Sequence, residues 1–536
     1  MGATNGMRSY EATAHPLNES NHDGPLKPKL ERNSSQSPRR WILNAFDMNC
    51  AGHQSPGLWK HSKDQSSQYN DLNYWIELCK ILEQGKFNGI FIADVLGAYD
   101  VYNRDKQGEN QGLSPAMRTG AQWGVSDPAL LISACAAVTS HLTFGVTQSV
   151  TYEQPYTVAR KFSTLDHLTK GRIAINVVTS YLDSAAKQYG LTEQVDHDER
   201  YERANEYMDV LYKLWESSWR DDAIVLDVER DVYAEPDRIR KIHHKGKYFN
   251  VEGPHIVEPS PQGSPVIFQA GSSSKGLEFA ARHAEAVFMS GPSPQKIRVQ
   301  VDALRALTEQ QGRNPYDVKV LVKLLVIVAE TDEQAKLKQK EYQKLSSKEG
   351  AKVLMGGWLG QDLGIYDEVS DLRQVGTKPV QAVARGYANL FPKVEKWTAD
   401  ELARHVALGG MGPIVVGSPS TVADGLQHWI DVADCDGFNL CYAITPGTFQ
   451  DIVKYLVPEL QKRGVHWLDY PKHESEPLKP VTARETLYEL GQSKLKEEHY
   501  GSKFKWKAGQ EIPPFLEPSD EAKSTHDRKR ARTEKS

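Results

Sequence analysis

Eight short apolar runs, each followed or preceded by helix-forming sequence, constrain the fold of this chain more than any other feature. They are WILNAF (41–46), GIFIAD (89–94), LTFGVT (142–147), RIAINVV (172–178), PVIFQA (265–270), AEAVFM (284–289), VKVLVKLLVIVA (318–329) and GFNLCYAI (437–444). Most are continuous rather than alternating, which suits strands buried on both faces, as in parallel sheets. Helical patterns lie between them: LNYWIELCKILEQGKF before the second run, DPALLISACAAVTS before the third, TVARKFSTLDHLTKG before the fourth and ERANEYMDVLYKLWESSW after it. Strand alternating with helix eight times predicts an α/β protein built as a TIM (β/α)8 barrel, with a doubly wound sheet as the alternative.

The spacing is uneven, with long insertions after strands 4 and 7. Residues 220–264 are charged and rich in Pro and Gly, too long for an ordinary connection, and are expected to form an excursion over the barrel mouth. Residues 330–436 hold helical patterns and the Gly-rich pieces MGGWLGQDLG and LGGMGPIVVG. They are expected to supply a lid or pocket wall, or else a helical layer that thickens the shell or meets another subunit. Residues 1–38 lack apolar periodicity and read as a disordered tail, 39–470 as the barrel domain, and 471–536 as a C-terminal extension with a basic tail. Arg528, Lys529, Arg530 and Arg532 cluster there, either as a solvated end or as a nuclear-import address.

A net charge of −5 over 536 residues gives no global signal for nucleic acid or an anionic membrane. Five scattered cysteines, none in a CxxC pair, fit a reducing compartment, and no apolar run is long enough to span a bilayer. The expectation is a soluble, cytoplasmic protein. No HExxH, zinc-spaced Cys/His set or GxSxG is present, so no metal and no nucleophilic triad is expected.

Polar groups gather where strands end and helices begin, the edge at which α/β barrels bind ligands. Asp94 and Thr147 end the second and third runs, and the fourth runs into Thr179 and Ser180. After a loop, His197 and Tyr201 open an amphipathic helix; four residues apart, they share one face. Taken singly, each also reads as a cap, a turn or a packed aromatic residue.

Longer segments add a family resemblance. LNAFDMNCAGHQSPGLWKH, FIADVLG, QSVTYEQPYTVARKFSTLDHLTKGRIAINVVTS, HDERYERANEYMDVLYKLWESSW, GKYFNVEGPHIVEPSPQGSPVIFQAGSSSKGLEFAARHAEAVF and VVGSPSTVADGLQHW together resemble the flavin-dependent monooxygenases of the bacterial luciferase-like superfamily, over roughly residues 40–470. The branch they resemble holds nitrilotriacetate monooxygenase component A, EDTA monooxygenase and dibenzothiophene-sulfone monooxygenase. The resemblance implies a TIM barrel using FMNH2 and O2, forming a C4a-(hydro)peroxyflavin that oxygenates a small organic substrate. It also implies a separate NAD(P)H-dependent flavin reductase and a homo-oligomer, dimer or tetramer. Asp94 and Thr147 would face the isoalloxazine and ribityl region, His197 and Tyr201 would contact FMN near its phosphate, and Ser272 and Ser273 would offer hydroxyls and backbone N–H groups to it. This places phosphate after strands 4 and 5, whereas many TIM barrels bind it after strands 7 and 8.

On the substrate side, Phe46, His53 and Trp358 are candidates for the pocket wall. His53 is the one catalytic candidate, as a proton donor or orienting group, against the alternative of a structural loop histidine; Cys50 reads as an inert buried thiol. Two other functions fit less of the sequence. A flavin-binding barrel without oxygenase activity would keep the same cofactor residues, and a metal-dependent barrel hydrolase would need an HxH-like set at strand 1, which WILNAFDMN lacks.

Overall fold

The computed structural model describes residues 39–104, 112–271 and 273–509. The eight runs form strands β1 Ile42–Met48, β2 Gly89–Ala93, β3 Thr143–Ser149, β4 Ile173–Val178, β5 Val266–Gln269, β6 Ala286–Met289, β7 Lys319–Val328 and β8 Gly437–Cys441. Each pairs in parallel with its neighbours, and β8 returns to β1, so the sheet closes into a ring. The doubly wound alternative is thereby excluded. A ninth strand, Ile414–Gly417, pairs only with the far half of β7, beyond the part that meets β6.

Strand residues alternate between two cores. Leu43, Ile90, Phe144, Ile175, Val287 and Val322 face outward into the helix layer, while Ile42, Phe91, Ala174, Val266, Phe288 and Leu321 fill the barrel. Inside, Phe46, Phe91, Phe268 and Phe288 form an aromatic cluster, with Phe91 and Phe288 centroids 4.0 Å apart. Gly145 on β3 makes room for it. A methyl group there would lie 2.8 Å from Phe91 and 3.0 Å from Phe268.

The helices follow the sequence pattern. α1 (Leu72–Gln84) and α2 (Pro155–Leu168) cover the barrel, and α3 (His197–Tyr212) starts at His197 behind an Asp196 cap. α4 (Ser274–His283) follows β5, α5 (Lys348–Leu359) lies in the second insertion, and α6 (Ala483–Leu487) belongs to the C-terminal segment. α6 stoppers the N-terminal end of the barrel: Ala483 and Leu487 pack against the interior cluster of Ile42, Ala174, Val266, Ala286 and Leu321. Between them Arg484, fully buried, donates to both Glu285 oxygens at 2.7 and 3.0 Å and to the Ser264 carbonyl at 2.8 Å.

The two insertions take different routes, and the first flanks α3, where Lys247 and Tyr248 bond Glu202. Residues 220–264 contain two small antiparallel ribbons, Ile224–Asp227 with Val232–Ala234 and His244–Lys245 with Asn250–Val251. Contrary to the expectation of an excursion over the mouth, their return path lies at the N-terminal end: Gln262 bonds Asp166 and the Ile173 carbonyl, and Ser264 bonds Glu216. A (β/α) unit explains this, because α3 carries the chain back down before the insertion begins. The second insertion follows a strand directly and does cover the mouth. Its residues Ala351, Val353, Leu354, Leu372, Ala384, Trp397 and Leu402 build a second core with Tyr99, Tyr102, Ala116, Leu182 and Ala185 from loops after β2 and β4.

Gly145→Ala should cost about 1–3 kcal/mol of unfolding free energy, the usual scale for overpacking. Urea denaturation of the variant checks this, and an unchanged midpoint would show that the aromatic cluster is loosely packed.

Candidate active site

The rim at the C-terminal ends of β4 and β5 is built from helix starts. Asp196 caps α3 by accepting from the backbone of Asp198 and Glu199, which leaves the His197 side chain at the first turn. The rings of His197 and Tyr201 lie 5.2 Å apart, as their spacing predicts. His197 Nδ1 bonds Asp198 at 2.8 Å, which aims Nε2 at the Ser273 hydroxyl, 3.2 Å away. Ser273 also caps α4, accepting from the Gly276 N–H at 3.1 Å. Tyr201 is buried, and a Cβ at Gly276 would come within 2.9 Å of its hydroxyl; one at Gly271 would collide with it outright. Thus His197, Tyr201 and Ser273 are brought together at the positive end of a ten-residue helix. Ser272 lies outside the described residues.

Asp94 directly follows β2, whereas Thr147, expected at the end of its strand, lies inside β3, which continues to Ser149. No contact joins either of them to the His197 group among the described residues. Thr147 is buried and accepts from Asn176 Nδ2 at 3.0 Å across the β3–β4 ladder. Burial, together with the nearby charges of Asp127 and Glu153, pushes the Asp94 carboxyl up to about 7. The loops after β2 and β4 meet over this side, where Ser184 donates to the Ala98 carbonyl at 2.6 Å.

Several buried polar atoms in or after the strands have no partner: Asn49 Oδ1, Asn176 Oδ1, Gln269 Oε1, Asn439 Oδ1 and both ring nitrogens of His53. Orphaned groups of this kind are costly unless a ligand or water completes them. Asn176 and Asn439 sit within β4 and β8, Gln269 ends β5, and Asn49 and His53 follow β1, so this group belongs to the barrel; other unpartnered atoms, such as those of Arg240 and Gln300, lie elsewhere in the fold.

His53 is fully buried, edge-on to Phe46 at 4.4 Å, and burial reinforced by the Lys323 charge lowers its pKa to about 3. It is therefore a neutral imidazole, which argues against a charged acid. Its unbonded nitrogens equally argue against a histidine satisfied by the fold. Trp358 donates to the Tyr99 hydroxyl at 3.1 Å, so the second insertion is tied to the loop after β2, and Phe46 is half-buried below. Cys50 is buried, and desolvation raises its thiol pKa, as expected of an inert thiol; all five cysteines are free.

Sequence reasoning passed over Asn176, Gln269, Asn439 and Lys323. The signal was present: each is a polar residue inside or at the end of an apolar strand, and Lys323 interrupts VLVKLLVIV. Among the described residues there is no group of three or more His, Cys, Asp or Glu side chains placed to hold a metal, and no helix is long and apolar enough to cross a membrane. The basic tail lies outside the described residues.

A closed eightfold barrel whose mouth carries anion-suited helix starts and unsatisfied polar groups defines a ligand-binding TIM-barrel enzyme. Its family follows from comparison: residues 53–433 match the model for luciferase-like monooxygenases, and the chain belongs to that family. It is similar to dimethyl-sulfide monooxygenase of Hyphomicrobium sulfonivorans, 46% identical over 80% of this chain and 87% of that protein. It is also similar to long-chain alkane monooxygenase of Geobacillus thermodenitrificans, 44% identical over 86% and 97%. The crystal structure of long-chain alkane monooxygenase superposes with a TM-score of 0.78, covering 88% of this chain and all of that one. A riboflavin lyase solved with modified FMN and riboflavin gives 0.77 at 32% identity, covering 88% of this chain and all of that one. The chain is thus an oxygenase of the luciferase-like type.

Asp94 offers a pH test. Its folded-state pKa lies above its ordinary value, so between about pH 4 and 7 the native state holds a proton that the unfolded chain has released, and stability falls as pH rises through that window. Asp94→Asn should remove this part of the slope. Unfolding free energies of both proteins at pH 5 and pH 8 check it; parallel changes would show that Asp94 is not desolvated.

Proposed function

We propose that this chain is the oxygenase component of a two-component, FMNH2-dependent monooxygenase acting on a small organic molecule. The observation that carries the reading is the meeting of His197, Tyr201 and Ser273 at the start of α4, beside Gly271 and Gly276. A phosphate monoester suits that group: helix-terminal N–H donors, two hydroxyls and an imidazole are all able to donate to its oxygens, and the glycines keep the approach open. Asp94 and Thr147 would then meet the isoalloxazine and ribityl portion, with the free oxygens of Asn176 and Gln269 available to its N–H and hydroxyl donors.

Reduced FMN, when bound, supplies the electrons that activate O2; the protein's task is orientation and dryness. The core shared by the second insertion and the loops after β2 and β4 roofs the site against water. His53, neutral and lodged against Phe46, can donate one N–H hydrogen bond there without placing a charge in the pocket. A separate NAD(P)H-dependent reductase supplies the reduced flavin, a reading supported by the family to which the chain belongs.

Oxygen uptake by the purified protein should require both FMN and an NAD(P)H-dependent flavin reductase, as read with an oxygen electrode in the presence of catalase. Failure to bind oxidised or reduced FMN in fluorescence and anaerobic stopped-flow titrations would contradict the reading. His197→Ala and Tyr201→Phe should each weaken FMN binding about 10- to 150-fold, the scale of a hydrogen bond to a charged group at about 1.5–3 kcal/mol. Unchanged affinity in both would place the phosphate elsewhere.

A further inference from the structure

Lys323 is a cation in a place where cations are expensive. It sits in the middle of β7, on the inward phase shared with Leu321 below and Leu325 and Ile327 above, and is only 9% exposed. Its ladder neighbour across β8 is Asn439. Nζ donates to Gln54 Oε1 at 2.8 Å and to the Gly409 carbonyl at 3.1 Å. Both acceptors are neutral, and no carboxylate among the described residues pairs with the ammonium. An ammonium has three N–H donors, so one remains to be used. A buried charge that meets only neutral partners is poorly compensated by the fold itself.

The surroundings have the form of a binding subsite. Gly410, from the second insertion, has a left-handed backbone with φ of 66°; a Cβ there would lie 3.0 Å from Lys323 Nζ and 3.2 Å from Trp358, and would collide with Gln54. Gln54, Lys323 and Trp358 therefore converge on one point under the roof. The ring of Trp358 is 6.0 Å from Nζ, and His53 is near enough for the lysine charge to depress its basicity. Asn439 Oδ1 and both His53 nitrogens lack partners. Apolar surface adjoins this polar point: Phe46, Leu325, Ile327 and Leu408 belong to one cluster.

We infer that Lys323 binds an anionic head group, a carboxylate or a sulfonate, on the organic substrate of this oxygenase, with the remainder of the substrate lying on Phe46 and Trp358. The inference rests on the oxygenase reading of the mouth. A charge-assisted hydrogen bond from the free N–H would complete the ammonium, and a neutral His53 can donate a second one to the same anion. A purely structural lysine, stapling the insertion to the barrel through Gly409, would show no head-group preference.

Titration calorimetry on the full chain with decanoate, decanesulfonate and 1-decanol separates these readings. An anion should bind at least tenfold more tightly than the alcohol, and Lys323→Met should erase the difference. Preference for both anions or for one alone supports the subsite and identifies the head group it prefers. The preference should also fade as pH rises through the lysine's lowered pKa, since the neutral amine loses its pull. Equal binding of anions and alcohol by the wild type would overturn the inference, and so would an anion preference that survives in a folded Lys323→Met. The wild-type comparison and its pH dependence stand even if the variant does not fold. FMN titration of the wild type tests the oxygenase reading separately, so failure of one is distinguishable from failure of the other.

Discussion

Closure of eight parallel strands into a ring is the constraint from which the rest of this structure follows. Once β8 pairs back onto β1, every inward side chain must share one confined volume, and every backbone group along the ladder is satisfied within the sheet. The interior is then filled from below by α6 and by small aliphatic residues, and across its middle by four phenylalanine rings that fit because β3 carries glycine at 145. The aromatic cluster blocks the barrel as a pore. Ligand chemistry is left only to the rim.

Helix direction decides which part of the rim can hold an anion. α3 and α4 both begin at the C-terminal ends of strands, so their positive ends point at the same opening, and His197 and Ser273 meet across it at 3.2 Å. The same geometry separates the two insertions. The one that leaves from the end of a helix flanks α3 and returns at the closed end, where Arg484 and Glu285 lock the C-terminal segment; the one that leaves from the end of a strand roofs the mouth. The proposed roles of water exclusion and cofactor binding thus fall on different elements, each placed by the polarity of the unit that carries it.

Much of this was legible in the sequence because burial on both faces writes itself as continuous apolar runs. All eight strands, both insertions and the start of α3 at His197 can be read that way. The pairing of His197 with Tyr201 follows from helical spacing. What composition hid was direction. Nothing in residues 220–264 marks them as staying off the mouth, since the deciding fact is where α3 delivers the chain. Asn176, Asn439 and Lys323 were hidden for another reason: one polar residue in an apolar run becomes conspicuous only when strand parity assigns it to the barrel interior. Asp94 can be placed at a strand end from sequence, but β3 runs past Thr147 to Ser149, and the burial that shifts the Asp94 carboxyl, with the added charges of Asp127 and Glu153, comes from segments distant in sequence.

The central claim is that the starts of α3 and α4 form a phosphate cradle for the flavin. Comparing the dissociation constants of FMN and riboflavin tests it most directly, because the two ligands differ only by the phosphate. The account predicts that the wild type binds FMN at least tenfold more tightly than riboflavin, and that Ser273→Ala combined with His197→Ala brings the two together while leaving riboflavin affinity nearly unchanged. Equal affinity of the wild type for both ligands, or a preference for FMN that survives the double substitution, would contradict it.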